Sequence, residues 1–365
     1  MNCKHLKECG SCTLFMPYDE QVKLKLDLVS ENFGEFYDGG FEFFTSNSTH
    51  YRTRAEFGIW HDNDKISYTM NHAHGGKLCI DECLKVSDKI FTIMPKLLSK
   101  ISENDNLKQK LFGVEFLQSS SEVLITLLYH KKLDESYLND IRNLADALEV
   151  KILARSRKVK ILSDELDLKD ELNINGKKFE LKLSETAFTQ PNKAINEKMI
   201  SWAGECVCDS DDLLELYCGH GNFTIPLSFK FNRVLATEIS KSSIANAKQN
   251  CQINGVSNTK FLRMSADELM SAFNKEREFN RLKDIDIFDY NFTHVLVDPP
   301  RAGLSKSVIE FIKNYENIIY ISCCMDSLKR DLKHLNKTHK VLKFGVFDQF
   351  ANTHHVECGV LLKRF

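Results

Sequence analysis

The sequence predicts an α/β fold, with a mainly parallel, doubly wound sheet in its C-terminal half and a mixed α+β region before it. Three observations predict this. From about residue 211, short apolar runs alternate with helical segments, the rhythm of a parallel sheet covered on both faces. The first ~180 residues lack that alternation and read as short strands broken by turns. A chain of 365 residues is long enough for two or three compact units of about 100–200 residues. We divide it into a cysteine-containing N-terminal arm and helix over residues 1–45, an α+β domain over 46–180, and an α/β domain over 181–365.

Taken in order, residues 18–36 predict a helix, because Val22, Leu26, Val29 and Phe33 recur at helical spacing, although Leu24 and Leu28 also allow a period-2 reading. Tyr51 to Trp60 and Lys65 to Met70 predict strands around an Asp62-Asn63-Asp64 turn, and Leu111–Gln118 and Glu122–Tyr129 a second pair around Ser119-Ser120-Ser121. Between Leu153 and Ile161, Arg155, Arg157, Lys158 and Lys160 nearly alternate with apolar residues. That pattern predicts a solvated edge strand ahead of a nucleic-acid surface. In the second half the strand candidates are Leu213–Tyr217, Arg233–Thr237, Thr259–Met264, His294–Val297 and Asn317–Ile321, with a helix over Ser242–Ile253.

A hydrophobic content of 42% with 27% charged residues excludes a disordered chain or a coiled coil. The run Val123-Leu124-Ile125-Thr126-Leu127-Leu128 is far shorter than the ~20 residues of a membrane-spanning helix. The first residues lack the apolar core of a signal peptide, so the expected location is the cytoplasm, with no membrane contact. There the 12 cysteines are expected to be reduced thiols rather than a disulfide framework. A formal net charge of −2 decides nothing about nucleic acid, which is bound by local patches.

The chemistry-bearing motifs follow the predicted strands. Leu213-Leu214-Glu215-Leu216-Tyr217 leads into Cys218-Gly219-His220-Gly221-Asn222-Phe223, where two glycines let the backbone turn against a ligand. Thr224 stands where a dinucleotide fingerprint wants a third glycine. Glu238, at the end of the next strand, is placed to accept both hydroxyls of a ribose, so the loop suits S-adenosylmethionine better than a dinucleotide. Asp298-Pro299-Pro300-Arg301 ends a later strand with a rigid turn, and Ser322-Cys323-Cys324 puts thiols at the same rim. In His354-His355-Val356-Glu357, the spacing argues against a metal site and for Glu357 as a general base.

These segments, in this order from about Ser48 to the C-terminus, resemble the S-adenosylmethionine-dependent uracil-C5 RNA methyltransferases. The resemblance also runs through Tyr51-Arg52-Thr53-Arg54-Ala55-Glu56-Phe57, Leu127-Leu128-Tyr129-His130-Lys131-Lys132 and Phe188-Thr189-Gln190-Pro191-Asn192. It implies a Rossmann-like catalytic domain preceded by an RNA-binding domain. It further implies methyl transfer to uridine 54 in the tRNA T-loop, giving 5-methyluridine, with tmRNA as a further substrate. Carried over by motif, Gln190, Tyr217, Asn222, Glu238 and Asp298 are expected to contact the cofactor. Cys323 is expected to be the nucleophile and Glu357 the base, with Arg52, Phe112 and His130 on the RNA.

Two features depart from the family pattern. Cys324 follows the nucleophile where the family commonly has Asn, so either thiol can be the attacking one. Cys3, Cys9 and Cys12, with Cys83, have a spacing similar to the 4Fe–4S ligands of rRNA-modifying relatives. Free thiols are the equal alternative. No OB-like domain precedes Cys3, which favours tRNA over rRNA. A monomer with no obligate protein partner is expected. Arg301 argues against a cytosine-C5 enzyme, which would carry a cysteine there, and against an amino-group methyltransferase, which would prefer an aromatic residue. A tRNA-folding chaperone with secondary catalysis is the rival from another class.

Overall fold

The computed structural model describes residues 2–166, 168–185 and 188–365; Met1, Asp167, Thr186 and Ala187 lie outside the described residues. The chain enters through a helix at Tyr18–Phe33 and a short strand, β1 (Glu42–Phe44). The next strands are β2 (Arg54–Asp62), β3 (Lys65–Asn71), β4 (Lys77–Ile80), β5 (Leu111–Gln118), β6 (Val123–Tyr129), β7 (Lys151–Ser156) and β8 (Val159–Leu162). They form one sheet in the order β4-β3-β2-β5-β6-β7-β8. Helices Asp88–Ser102 and Tyr137–Leu148 contribute Ile90, Met94, Leu97, Ile141 and Leu144 to a core shared with Phe57, Tyr68, Phe116 and Ile125.

The cationic segment 153–161 is a hairpin rather than one edge strand, with Lys158 at positive φ between β7 and β8. Only β8 lies at the sheet edge, and Arg155 on β7 pairs with Glu115 on β5 at 2.9 Å.

A second hairpin, β9 (Leu168–Ile174) and β10 (Lys177–Leu183), turns at Asn175-Gly176, both at positive φ as a tight hairpin turn requires. Its Leu172, Phe179 and Leu181 share a core with Ile195, Met199 and Trp202 of helix Lys193–Glu205. The remaining strands are β11 (Asp212–Leu216), β12 (Arg233–Thr237), β13 (Thr259–Leu262), β14 (Phe292–Val297), β15 (Asn317–Ser322), β16 (His339–Phe347) and β17 (Glu357–Arg364). With β1 they make an eight-stranded sheet in the order β1-β16-β17-β15-β14-β11-β12-β13. The pairs among β11–β15 are parallel, and β11 and β15 are buried at every position. Side chains on both faces are then mostly apolar, with Asp212, Glu215, Asn317 and Ser322 as buried exceptions, which is why these strands read as apolar runs. The chain order reverses between β11 and β14, so a crevice opens at the carboxyl ends of those two strands.

Two additions close the sheet. The β16–β17 hairpin runs antiparallel against β15, and β1 pairs in parallel with β16. The first helix therefore packs on the C-terminal sheet, and it does so through a face the apolar spacing does not indicate. Gln21, Lys25, Val29 and Phe33 are its buried stripe, at i, i+4 intervals, whereas Val22 and Leu26 are only partly covered. Val29 and Phe33 meet the apolar core beside Phe344, while Gln21 and Lys25 meet polar backbone and side chains of the 348–352 loop. The Lys25–Asp348 pair is 2.6 Å long with both side chains wholly excluded from water. Breaking such a pair by removing one partner costs about 3–5 kcal/mol.

Candidate active site

The site begins where β11 stops. Tyr217 has φ +64°, an uncommon conformation for a bulky residue, followed by Gly219 at +56° and Gly221 at +93°. A Cβ at Gly221 would stand 3.0 Å from the Ile225 side chain, so the close turn requires glycine. Glu238, just past β12, reaches over this loop. Its carboxylate accepts from Gly219 N at 3.2 Å and from Ser240 N at 2.8 Å. Asn222 and Asn196 exchange side-chain amide bonds of 2.8 and 2.9 Å, and Gln349 donates to Gln190 at 2.7 Å.

After β14, the segment from Asp298 to Leu304 is held from behind. The buried Asp331 carboxylate accepts from Leu304 N at 2.9 Å and from the Tyr320 hydroxyl at 2.7 Å, while Arg330 donates to Ala302 O at 2.9 Å. After β15, the Ser322 hydroxyl donates to Cys324 O at 3.1 Å, and Cys324 caps helix Met325–Leu335. The β15–β17 ladder ends at the pair Ser322–Cys358, so Cys323 leaves the end of β15 beside the start of β17, where Glu357 stands near enough to act on its thiol.

These strand ends surround one cavity of about 720 Å³, within the size range of small-molecule sites. Gln190, Tyr217, Asn222, Glu238, Asp298, Cys323 and Glu357 all line it, so the seven cofactor and catalytic candidates come together. Cys324 is not among the lining residues, which distinguishes the two thiols. Arg301, which the motif reading used only against rivals, also lines the cavity and is the cation acting on Cys323 and Glu357. Its signal was present in Asp-Pro-Pro-Arg.

The cleft is acidic in composition but reluctant to ionise. Burial pushes the Asp298 carboxyl up to about 7. Burial, with Asp298 adding to it, carries Glu357 well above the usual carboxylate range, against the pull of Arg301. Burial and then the neighbouring Glu357 raise the Cys323 thiol to about 11. Beneath the loop, burial takes Glu215 to about 8, and its Oε2 has no partner among the described residues. Sequence reasoning passed over Glu215 because an acid inside an apolar strand motif looks the same whether it faces a ligand or the core.

The RNA candidates do not share one place. Phe112 and His130 stack with ring centroids 3.8 Å apart, on a groove of about 590 Å³ that Lys131, Lys132, Arg155 and Arg157 also line. Arg52 lies elsewhere, its Nε donating to Arg54 O at 2.7 Å and its guanidinium 5.8 Å from the Phe350 ring. His354 accepts from or donates to the Thr13 hydroxyl at 2.9 Å, a tether to the N-terminal arm.

Cys3, Cys9, Cys12 and Cys83 do line one small cavity, but among the described residues no group of three or more His, Cys, Asp or Glu is arranged to hold a metal. Lys85 reaches into that cavity, its Nζ donating to Ser11 O at 2.6 Å. The expected 4Fe–4S cluster is therefore unsupported, and the thiols stand as free cysteines. Among the described residues no helix is long and apolar enough to cross a membrane.

Comparison with known proteins bears on the same residues. The family model for tRNA (uracil-5-)-methyltransferase matches residues 17–365. A tRNA/tmRNA (uracil-C(5))-methyltransferase of Campylobacter concisus is 64% identical over 364 residues, spanning 100% of this chain and 99% of that one. One from Sulfurovum sp. is 49% identical over 371 residues, covering 100% of both. The crystal structure of Pyrococcus abyssi tRNA (uracil-54, C5)-methyltransferase in complex with S-adenosyl-L-homocysteine superposes with a TM-score of 0.72 at 19% identity. It covers 95% of this chain and 84% of that one, a likeness of fold.

Proposed function

The chain belongs to the tRNA (uracil-5-)-methyltransferase family, and from that premise we propose how its cleft performs the reaction and on which atoms. The enzyme transfers a methyl group from S-adenosylmethionine to C5 of a uridine in tRNA. The target is uridine 54 of the T-loop, with the corresponding loop of tmRNA as a second substrate.

The residues present fit the cofactor. Glu238 offers a carboxylate at the ribose position, Gly219 and Gly221 leave room for the ligand against the backbone, and the cavity is large enough for a nucleoside with its amino-acid tail. Gln190, Tyr217, Asn222 and Asp298 complete the contacts. When bound, S-adenosylmethionine supplies an electrophilic methyl group on a sulfonium centre.

Uracil C5 is too weak a nucleophile to take that methyl unaided. The Cys323 thiol first loses its proton to solvent, with Arg301 favouring the thiolate; the thiolate then adds to C6, and the electron pair of the C5–C6 double bond is released towards C5 and O4. Once C5 carries the methyl group, Glu357 removes the remaining C5 proton, the double bond re-forms and the C6–Sγ bond breaks, returning the thiolate. The observation that carries this reading is that Cys323 and Glu357, near enough for Glu357 to raise the thiol, line the same cavity as Glu238 and Asp298.

The target base must leave its stack to reach this depth, which a loop allows more readily than a duplex. Phe112 and His130, flanked by Lys131, Lys132, Arg155 and Arg157, supply an aromatic face and positive charge for the RNA, and Arg52 a contact closer to the C-terminal loop. Transfer of labelled methyl to an unmodified tRNA transcript and to rRNA in parallel, with nucleoside analysis, tests the assignment. 5-Methyluridine in the tRNA T-loop alone is expected. Label in rRNA, or none despite cofactor binding, would remove it.

A further inference from the structure

Glu357 does not stand on the sheet unaided. It follows the loop 348–356, and most polar holds on that loop come from the N-terminal segment 13–25, with further bonds from Tyr51 to Ala351 O, from Asn352 to Ser48 O, from Gln349 to Gln190 and from Asp348 N to Phe44 O. Lys25 Nζ donates to Asp348 Oδ1 at 2.6 Å and to Phe350 O at 3.2 Å. The Tyr18 hydroxyl donates to Asp348 Oδ2 at 2.7 Å and itself accepts from Ser46 N at 2.8 Å. Gln21 closes a two-way pair with Asn352, donating from Nε2 to Oδ1 at 3.2 Å and accepting the Asn352 amide at 2.9 Å. Thr13 N and Leu14 N donate to Asn352 O at 2.9 and 3.1 Å.

Such a network is more than a fold requires. The stripe of the helix that carries Lys25 and Gln21 would bury apolar side chains at lower cost in desolvation, and its other half does so with Val29 and Phe33. The polar half faces the loop, with Gln21 donating also to Met16 O at 2.9 Å. Asn352 is held at φ +65°, a conformation that Gln21 and the Thr13 and Leu14 amides lock from both sides. A loop fixed at Asp348, Phe350 and Asn352 enters β17 in one register. That register, with Glu357 paired to Phe347, faces the Glu357 carboxyl into the cavity that Cys323 lines, and a one-residue slip would turn every side chain over.

We propose that Lys25, acting with Tyr18 and Gln21, is a positioning residue for proton abstraction: it locks the 348–356 loop so that the Glu357 carboxyl is aimed at the C5 proton of the Cys323-bound uracil. The inference rests on the assignment of Glu357 as the base. Addition of Cys323 does not depend on this lock, and cofactor binding depends on it little, because Tyr217, Glu238 and Cys323 stand on other elements and Gln190 meets the loop at one bond, from Gln349. Removal of the C5 proton does depend on it, and a displacement of about 1 Å at a reacting group slows a step by up to about 100-fold.

The test uses the full-length protein. Lys25→Met alone leaves a buried carboxylate unpaired, so it is paired with Asp348→Asn, and Tyr18→Phe serves as the milder second variant. Each is incubated with tRNA transcript and labelled S-adenosylmethionine, and the covalent protein–RNA adduct is quantified on denaturing gels. Cofactor affinity and amide hydrogen exchange of residues 349–356 are measured beside it. In K25M/D348N the expected result is a fall of about 10- to 100-fold in turnover, with methylated adduct accumulating, unchanged cofactor affinity and faster exchange confined to the loop. Tyr18→Phe should show the same pattern more weakly.

Turnover lost without accumulation of methylated adduct, or lost together with cofactor binding, would reduce the network to a fold element and overturn the inference. So would wild-type turnover. Glu357→Gln is run in parallel. If it accumulates adduct and K25M/D348N does not, the positioning role fails alone; if Glu357→Gln does not, the base assignment fails and carries this inference with it.

Discussion

Cys323, the first residue after β15, and Glu357, the first residue of β17, line one cavity just beyond the last rung of the β15–β17 ladder, Ser322–Cys358. The candidate nucleophile and base are therefore anchored at the ends of neighbouring strands of one sheet. Glu357 adds to the burial that lifts the Cys323 thiol, and Arg301 opposes both. A nucleophile and a base so placed can act on adjacent carbons of one small ring.

That geometry assigns separate steps to the two residues, and the variants should separate accordingly. Cys323→Ala is expected to bind S-adenosylmethionine and to form neither adduct nor product. Glu357→Gln is expected to form adduct, take the methyl group and stall, so that a methylated protein–RNA band persists on a denaturing gel while turnover falls by about 100-fold or more. Normal turnover in Glu357→Gln would take Glu357 out of the mechanism.

The buried acids make cofactor binding a proton-linked event. In the empty cleft Asp298 holds its proton up to about pH 7, and burial raises the Glu357 carboxyl in the same direction. A sulfonium cation favours the ionised carboxyl, so binding should expel of order one proton near pH 6–7, and affinity should rise with pH through that window. S-adenosylhomocysteine, which lacks the positive charge, should release fewer. Calorimetry in buffers of different ionisation enthalpy reads the proton count directly, and equal release by the two ligands would contradict the argument.

Asp298 should also cost stability where it is most useful. Its unfolded-state pKa is near 3.9 and its folded value about 7, so between those values the folded chain binds the extra proton. Stability contributed by that proton is present at about pH 4 and is lost as pH rises through 7. Asp298→Asn cannot ionise and should escape the loss. We expect it to unfold at higher urea than the wild type at pH 8, by up to about 4 kcal/mol at about 1.4 kcal/mol per unit, with the advantage gone at pH 4 and methyl transfer abolished. An advantage that did not grow with pH would mean Asp298 is solvated in the folded protein.

Much of this site was legible because parallel strands advertise themselves. β11, β12 and β14 are buried on both faces and read as apolar runs, and the motif residues Tyr217, Glu238, Asp298 and Cys323 follow their ends or that of β15. The closing pieces were not legible for the opposite reason. β16 mixes buried and solvent-facing positions, and the parallel pairing of β1 with it joins residues about 300 apart in sequence, which no local periodicity encodes. Lys25 and Gln21 were hidden because a buried polar stripe on a helix carries no apolar signal, and the neighbouring Val22 and Leu26 supplied a misleading one. The Asn175-Gly176 turn was the available sign of the β9–β10 hairpin.

The cationic groove beside Phe112 and His130 gives the last expectation. Arg155 is already engaged by Glu115 at 2.9 Å, so a phosphate gains less from it than from Lys132 or Arg157, which line the same groove. Two kinds of loss should follow. Phe112→Ala removes one face of the stacked pair and should weaken tRNA binding by the worth of one stacked base, about 1–3 kcal/mol, or roughly 5- to 150-fold in KM. Arg157→Ala should weaken binding more modestly and reduce the slope of log affinity against log salt by about 1. Neither groove residue lines the cofactor cavity, so S-adenosylmethionine affinity and the rate at saturating tRNA should hold. Filter binding across a salt series, with kcat and KM measured separately, distinguishes these effects. A fall in kcat at unchanged KM would show that the groove shapes the active site rather than holding the RNA.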